Sequence, residues 1–214
     1  AASKDVTVSL ESVGSAKYNS DFTSNTPTRI TTVAGGNGNG ASSNQLRYPR
    51  GVYADNTGNL YVGDIDNQRV QKFAPGVTEG VTLMSGLSGP ADISVDASGS
   101  IYVLEQYDNK VTKWASDGAF IGVVAGGNGA GSNANQLSDA HGMFVDAIGN
   151  IYIADSNNRR VQKWAPGATA GVTVAGGNGD GGNMNQFRYP RDVFVDELNN
   201  IYVADQWANR IQKW

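Results

Sequence analysis

Two short stretches of the chain carry the arginines and tyrosines that are best suited to contact a ligand. They read LRYPR at residues 46–50 and FRYPR at residues 187–191. Arginine and tyrosine are enriched among the residues that dominate binding energy at protein interfaces. Placed side by side, the two stretches would form one binding patch from Arg47, Tyr48, Arg50, Arg188, Tyr189 and Arg191. The structural alternative is that the arginines pair with nearby aspartates and the tyrosines pack beneath loops.

Two further aromatic residues stand where matching segments of the chain carry small polar residues. Tyr107 and Trp207 take the places of Asp66 and Asn157. A tryptophan among polar loop residues is typical of contact with a glycan, a peptide or another protein. We therefore add Tyr107 and Trp207 to the predicted binding residues. The alternative is that these rings pack against the chain's own N-terminal segment.

The chain offers little for catalysis. Cysteine is absent and His141 is the single histidine. The lack of cysteine excludes disulfides and thiolate nucleophiles. One histidine does not suffice for the zinc sites that use several, and a hydrolytic triad needs a base beside its nucleophile. We therefore expect no enzyme activity, no metal and no cofactor.

Four carboxylates recur along the chain, each followed five residues later by a basic residue. The pairs are Asp64 with Arg69, Glu105 with Lys110, Asp155 with Arg160, and Asp205 with Arg210. A carboxylate at the end of one strand and a base at the start of the next face each other across a short turn, so a salt bridge is expected. A ring of carboxylates that holds Ca²⁺ is the functional alternative. Repetition in all four segments favours the structural role.

Glycine-rich loops beginning AGGNG start at residues 34, 125 and 175. Clustered backbone amides in such loops could bind an anion. The spacing does not match glycine-rich calcium repeats, so we expect tightly turned connectors.

These features belong to four repeated units, at residues 48–73, 89–114, 139–164 and 189–214. Their matching carboxylates, at intervals of 41, 50 and 50 residues, are Asp55, Asp96, Asp146 and Asp196. Each unit is predicted to form three short strands joined by turns. In the first turn the aspartate would accept hydrogen bonds from backbone amides. A fourth strand follows three of the units, as GVTLMSG (80–86), IGVVAGG (121–127) and GVTVAGG (171–177).

Four antiparallel strands every ~40 to 50 residues are typical of a β-propeller blade. The predicted fold is therefore an all-β, four-bladed propeller over residues 29–214, with blade 1 at 46–86, blade 2 at 87–127, blade 3 at 137–177, and blade 4 at 187–214 plus 30–36. Residues 30–36 read ITTVAGG, which matches a fourth strand. We expect this strand to complete blade 4 and close the ring. Two alternatives would give the same arrangement of a fourth strand at the beginning and a third strand at the end. The chain could be a larger ring cut at a repeat boundary, or the last strand of blade 4 could come from a neighbouring molecule.

The units resemble NHL repeats. The family motif runs apolar-Pro-x-Gly-apolar-x-apolar-Asp, Gly-Asn-apolar-Tyr-Val-Ala-Asp and Asn-x-Arg-apolar-Gln, as in YPRGVYAD, GNLYVGD and NQRVQ of the first unit. The resemblance covers residues 30–214 and implies a β-propeller. The chain departs from the family in its four blades, where six are more common, and in lacking histidine at the Asn-x-Arg positions. Family members include platforms for protein or RNA and a few enzymes, so the resemblance implies the fold more than the activity.

Residues 1–28 are predicted to be a separate N-terminal extension. KDVTVSL at residues 4–10 alternates apolar and polar residues over one short strand. The segment resembles the closing hairpin of Calx-β-type domains of adhesive surface proteins. A lone strand cannot bury its own face, so it would lie on the propeller, be disordered, or add to the sheet of another molecule. The last case would make the protein the subunit of a filament or other homo-oligomer.

Charge and hydropathy restrict the partners. The net charge is −4 and the isoelectric point is about 4.9, which works against nucleic acid because its binding depends on basic contacts to phosphate. No apolar run approaches the ~18 residues that span a bilayer. The chain begins AAS, as a mature end left by a signal peptidase would. We therefore expect an extracellular protein, secreted or on the cell surface.

Together these patterns predict a non-enzymatic extracellular interaction or structural module. It would bind a protein or glycan partner through its loop-rich face and self-assemble through the N-terminal strand. One alternative is a divalent-cation-dependent propeller hydrolase or lyase. Another is an RNA-binding platform, which would depend on the Arg/Tyr patch.

Overall fold

The computed structural model describes residues 31–214, which form four antiparallel sheets. Blade 1 contains β1 (Pro49–Ala54), β2 (Leu60–Asp64), β3 (Arg69–Phe73) and β4 (Val81–Ser85). Blade 2 contains β5 (Pro90–Val95), β6 (Ile101–Glu105), β7 (Lys110–Trp114) and β8 (Phe120–Gly126). Blade 3 contains β9 (Ala140–Val145), β10 (Ile151–Asp155), β11 (Arg160–Trp164) and β12 (Val172–Gly176). Blade 4 contains β13 (Pro190–Val195), β14 (Ile201–Asp205) and β15 (Arg210–Lys213).

Within each blade the strands follow one another in chain order as a meander. The predicted all-β, four-bladed propeller is confirmed. Its helical content consists of three-residue 3₁₀ turns between the second and third strands, at Ile65–Asn67, Ser156–Asn158 and Gln206–Ala208. In the described part of the chain, no helix is long and apolar enough to cross a membrane.

The first hairpin of every blade is closed by an aspartate. Asp55 Oδ1 accepts hydrogen bonds from the amides of Thr57 at 3.0 Å and Asn59 at 2.9 Å. Asp96, Asp146 and Asp196 accept the corresponding pairs of bonds in the other blades. A carboxylate that satisfies turn amides fixes the turn locally. The predicted structural role of these four residues is therefore confirmed.

The hydrophobic core lies between consecutive blades. Three clusters of buried side chains join blade 1 to blade 2, blade 2 to blade 3, and blade 3 to blade 4. The innermost strands also pack in sequence, β1 on β5, β5 on β9 and β9 on β13. Each blade therefore buries its two faces against its neighbours, as expected for units that cannot bury an apolar face alone.

The two ends of this series do not meet in the same way. Among residues 31–214, no comparable packing joins β13 to β1. Residues 31–36 form no strand, and the sheet of blade 4 has three strands in the described part of the chain. The predicted completion of blade 4 by residues 30–36 is therefore not seen. The predicted strand at residues 4–10, with the rest of residues 1–28, lies outside the described residues.

Candidate functional site

The segments that lead into the first strands and the turns after the second strands lie on one face of the molecule. In each blade a backbone amide of that turn donates to a carbonyl of the lead-in segment, from Asp66 to Arg47, Tyr107 to Ser88, Asn157 to Ser138, and Gln206 to Tyr189, at 3.0 to 3.2 Å. The carboxylate that ends the second strand accepts from the lead-in amide as well, for example Asp64 from Arg47 at 2.6 Å and Asp155 from Ser138 at 2.8 Å. Hydrogen bonds from backbone amides to carbonyls and to these carboxylates therefore hold the lead-in segments against the turns.

The same carboxylates form the predicted salt bridges in all four blades. The distances are 2.8 Å for Asp64–Arg69, 3.6 Å for Glu105–Lys110, 2.7 Å for Asp155–Arg160 and 3.2 Å for Asp205–Arg210. The arginines also donate to carbonyls of the glycine-rich loops, as Arg160 does to Ser132 at 2.8 Å. Blade 2 has no such loop, and there the basic residue is Lys110. Arginine therefore occurs in the three blades with a glycine-rich loop, because its five N–H groups can bind both the carboxylate and the loop carbonyls.

Arg50, Gln106, Asp139, His141, Tyr189 and Arg191 meet around one imidazole, and we call them the His141 cluster. They come from all four blades. Arg50 Nη2 lies 2.8 Å from His141 Nδ1, and Arg191 Nη1 lies 2.8 Å from His141 Nε2. Arg50 also donates through Nη1 to Gln106 Oε1 at 2.7 Å. The site therefore depends on the curvature that brings the four innermost strands together.

Asp139 anchors the other side of the His141 cluster. Its carboxylate accepts from the hydroxyl of Tyr189 and, at 2.6 Å, from Gln106 Nε2. Burial raises the pKa of Asp139, but the hydrogen bonds from Tyr189 and Gln106 outweigh it and hold the pKa below its usual value. Asp139 is therefore ionised at neutral pH and fixes the Tyr189 ring.

His141 cannot accept hydrogen bonds from both arginines. A neutral imidazole has one N–H donor and one acceptor nitrogen, and a guanidinium only donates. The Nε2–H tautomer fits Tyr189, whose hydroxyl oxygen lies 3.0 Å from Nε2 and whose proton goes to Asp139. In that tautomer Arg50 is satisfied at Nδ1, while Arg191 Nη1 faces another N–H. In that tautomer His141 therefore offers no acceptor to Arg191.

The protonation of His141 can be measured directly. Burial, followed by the charge of Arg191, lowers the pKa of His141 to about 4. We expect its Cε1 proton to titrate near pH 4 in ¹H NMR, where it is the only histidine signal. Because the folded-state pKa lies below the unfolded value, this group's contribution to stability is present above pH 6.5 and is lost as the pH falls toward 4. A midpoint near 6.5 would contradict burial between two arginines, and Arg191→Leu should raise the midpoint.

The predicted binding residues divide into two sets. Arg50, Tyr189 and Arg191 lie in the His141 cluster, and the Trp207 ring stacks on Tyr189 with centroids 4.2 Å apart. Tyr48 and Tyr107 are exposed on the same face.

The remaining two arginines lie outside the His141 cluster. Arg47 forms an exposed salt bridge with Asp66 at 3.3 Å, which matches the structural alternative. Arg188 is held through its backbone amide, which donates to Asp205 at 2.9 Å. Half of the eight predicted binding residues are therefore brought together, namely Arg50, Tyr189, Arg191 and Trp207.

The sequence prediction missed His141, Asp139 and Gln106 as site residues. A signal for His141 was present, because it occupies the repeat position of Arg50 in blade 1 and Arg191 in blade 4. The three long side chains at that position contact one another in the cluster, whereas blade 2 has Ala91 there. Among the described residues, no group of three His, Cys, Asp or Glu side chains is placed to hold a metal ion.

Comparison with known proteins identifies the repeat. The profile described as NHL repeat matches residues 46–73 and 187–214, which are the first three strands of blade 1 and the whole of blade 4. No curated protein sequence matches the chain significantly.

Solved structures share the fold. A streptogramin B lyase is 15% identical with a TM-score of 0.58, over 80% of this chain and 51% of the other. An auxiliary nutrient binding protein from Bacteroides thetaiotaomicron is 15% identical with a TM-score of 0.64, over 78% and 47%. A structure of the nidogen/laminin complex is 18% identical with a TM-score of 0.62, over 78% of this chain and 60% of the other. The chain spans about half the length of these structures, and at such identities the likeness shows the fold alone. The protein is therefore a four-bladed β-propeller that contains NHL repeats, matched in its first and last blades.

Proposed function

We propose that the protein is a non-enzymatic, extracellular binding module that recognises a carboxylate group on a protein or glycan partner through the His141 cluster. The observation that carries the proposal is the convergence of Arg50 and Arg191 on one imidazole, each at 2.8 Å. A neutral imidazole can accept from only one of these guanidinium groups, so the other keeps donors that His141 does not use. A ligand carboxylate supplies the acceptor, because its two oxygens match the paired donors of an arginine.

The surroundings of the His141 cluster suit a ligand that is larger than a free ion. The stacked rings of Tyr189 and Trp207 form an aromatic platform beside Arg191, and Trp207 is 59% exposed. Aromatic rings with a polar edge supply contact area at interfaces. Asp139 is ionised, but together with Arg50 and Arg191 it leaves the His141 cluster with a net positive charge, which favours an anionic ligand. The partner is therefore expected to place an anionic group at Arg191 and an apolar or sugar face on Trp207.

The comparisons with solved structures support a role in binding but do not identify the ligand. One structure with this fold is described as a nutrient binding protein, and another contains nidogen with laminin. Those descriptions belong to those proteins. They agree with a binding role for this chain. Detection of the protein outside the cells that produce it would test the proposed extracellular location.

The binding proposal is tested by arginine substitutions. Arrays of acidic glycans and acidic peptides provide the probes, and a glycan-only or peptide-only response identifies the partner class. We expect Arg191→Ala to weaken binding about 10- to 100-fold, since a hydrogen bond to a charged group contributes about 1.5–3 kcal/mol. The matched control is Arg188→Ala, which removes an arginine of the same stretch outside the His141 cluster. Equal effects of both substitutions, or unchanged binding after the ligand carboxylate is esterified, would refute the proposal.

Acid–base catalysis is a second candidate, because His141 Nε2 lies 3.4 Å from Asp139 Oδ2. A carboxylate can orient an imidazole that moves protons. Mass spectrometry of the bound ligand decides between the two functions. A product that forms with the parent protein and not with His141→Gln would favour catalysis, whereas a ligand recovered intact favours a binding module.

A further inference from the structure

Blade 1 leaves one face uncovered. Val52 is 63% exposed, whereas the residues at its repeat position, Ile93, Met143 and Val193, are buried between blades. Leu60 and Leu46 are also only partly buried, although their equivalents in blades 2 to 4 are buried. We call Leu46, Val52 and Leu60 the blade 1 face. It has the apolar character of an inter-blade surface but no blade against it.

Blade 4 has an exposed face on its other side, at the positions that in blades 1 to 3 pack against the following blade. Ile211 is 68% exposed, whereas its equivalents Val70, Val111 and Val161 are fully buried. Tyr202 and Ala204 on β14 are only partly buried. We call Tyr202, Ala204 and Ile211 the blade 4 face. A groove of about 530 Å³ runs beside it, lined in part by Arg191, Ala204 and Ile211.

The interface between blades 3 and 4 shows how the two faces fit together. There Tyr152, Ala154 and Val161 of blade 3 form one cluster with Phe187, Val193 and Ile201 of blade 4. The first three occupy the repeat positions of the blade 4 face, and the last three occupy those of the blade 1 face. The blade 4 face is therefore complementary to the blade 1 face.

A polar contact between blades points to the same pairing. Asp92 of blade 2 accepts a hydrogen bond from the Met143 amide of blade 3 at 2.8 Å. Its equivalent in blade 4 is Asp192, which in the described residues accepts only from the adjacent Val193 amide. The repeat position of Met143 in blade 1 is Val52. A blade 1 face docked on blade 4 would therefore bring the Val52 amide to Asp192.

The open edge of β15 has a matching strand. In blade 3, β11 pairs with β12 in the register Arg160 to Gly176 and Val161 to Ala175. The same repeat positions pair Arg210 with Gly35 and Ile211 with Ala34. Residues 31–35 precede blade 1 directly, and Val33 is 56% exposed. A molecule that supplies the blade 1 face therefore also brings a strand that matches the open edge of β15.

We infer that a second copy of this chain covers these surfaces: blade 4 of each copy packs on blade 1 of the other and takes residues 31–35 of that copy as its fourth strand. Within residues 31–214 of one copy, the blade 1 face and the blade 4 face do not pack on each other. Two copies form a closed ring of eight blades, which is within the range of four to eight that propellers adopt, whereas three copies would exceed it. A head-to-tail contact that closes in this way limits the assembly to a dimer. Each dimer then carries two His141 clusters.

The test is the mass of the full chain in solution by light scattering, measured over a range of concentrations. We expect twice the 22.5 kDa of one chain. Ile211→Asp and Val52→Asp should each give monomers, because every contact in the ring uses both faces. Both residues are exposed in a single copy, so neither substitution should prevent folding. Val172→Asp is the control, since Val172 is equally exposed on β12 of blade 3, and this variant should remain dimeric.

Mixing the two monomeric variants tests the head-to-tail arrangement. The mixture retains one intact blade 1 face and one intact blade 4 face, so we expect a dimer with a single interface. A wild-type mass of 22.5 kDa at all concentrations, open polymers, or variants that stay dimeric would each overturn the eight-bladed ring.

Discussion

Arg160→Ala is expected to lower the free energy of unfolding by about 3–5 kcal/mol, which is the usual cost of removing one partner of a buried ion pair. Asp155 is fully buried and would lose the guanidinium 2.7 Å away. The loop carbonyls of Ser132, Asn133 and Gln136 would lose their donors as well. The substitution therefore leaves the buried charge of Asp155 without its guanidinium, although the bonds from Ser138 and Asn158 remain, and it removes the donor from several partly buried carbonyls. Urea unfolding followed by tryptophan fluorescence measures the loss.

Arg159→Ala is the matched control. Arg159 is the preceding residue, and its salt bridge with Asp180 at 3.3 Å is largely exposed. Exposed pairs contribute about 0–1 kcal/mol, so this variant should unfold close to the parent protein. A similar loss of stability in both variants would show that the buried Asp155–Arg160 pair contributes no more to the stability of blade 3 than an exposed pair does.

Trp164→Ala is expected to cost about 3–5 kcal/mol, as large-to-small substitutions of buried aromatic residues do. Trp164 is 1% exposed and belongs to the cluster between blades 2 and 3, with Ile151 and Met143. Removing it opens a cavity at a contact that both blades need. The control is Trp207→Ala, which removes an exposed tryptophan and should change the stability by less than about 1 kcal/mol. If thermal unfolding shifts equally in both variants, the inter-blade cluster is not the main source of stability.

The repeats allowed most of the fold to be predicted. Each blade is a local meander, and each first hairpin is closed by an aspartate such as Asp55 that satisfies amides within four residues. Salt bridges such as Asp64–Arg69 span a single turn. Because these interactions connect residues that are close in the chain, their spacing is visible in the sequence. Completion of blade 4 requires residues near 35 to pair with residues near 210, about 175 positions apart. The repeat pattern shows that such a strand exists but does not specify whether the same molecule or another one provides it.

The candidate site was predictable only in part. Arg50, Tyr189 and Arg191 were found because arginine and tyrosine stand out in repeated stretches. His141, Asp139 and Gln106 were missed because no local pattern joins residues from blades 2 and 3 to them. Their proximity arises from the packing of the innermost strands. Comparison of one repeat position across all blades would have placed His141 beside the arginines.

The amino-acid sequence by itself determined the four blades, their strands and turns, and the salt bridges between the second and third strands, because each depends on contacts within one repeat. Only the tertiary structure decided which side chains share a site. The curvature of the blades brings Arg50 and Arg191 to opposite nitrogens of His141. It also leaves Val52 and Ile211 exposed at the two ends. Both outcomes depend on how successive blades pack on one another. The order of residues within a repeat does not specify this packing, because it involves contacts between residues of different repeats.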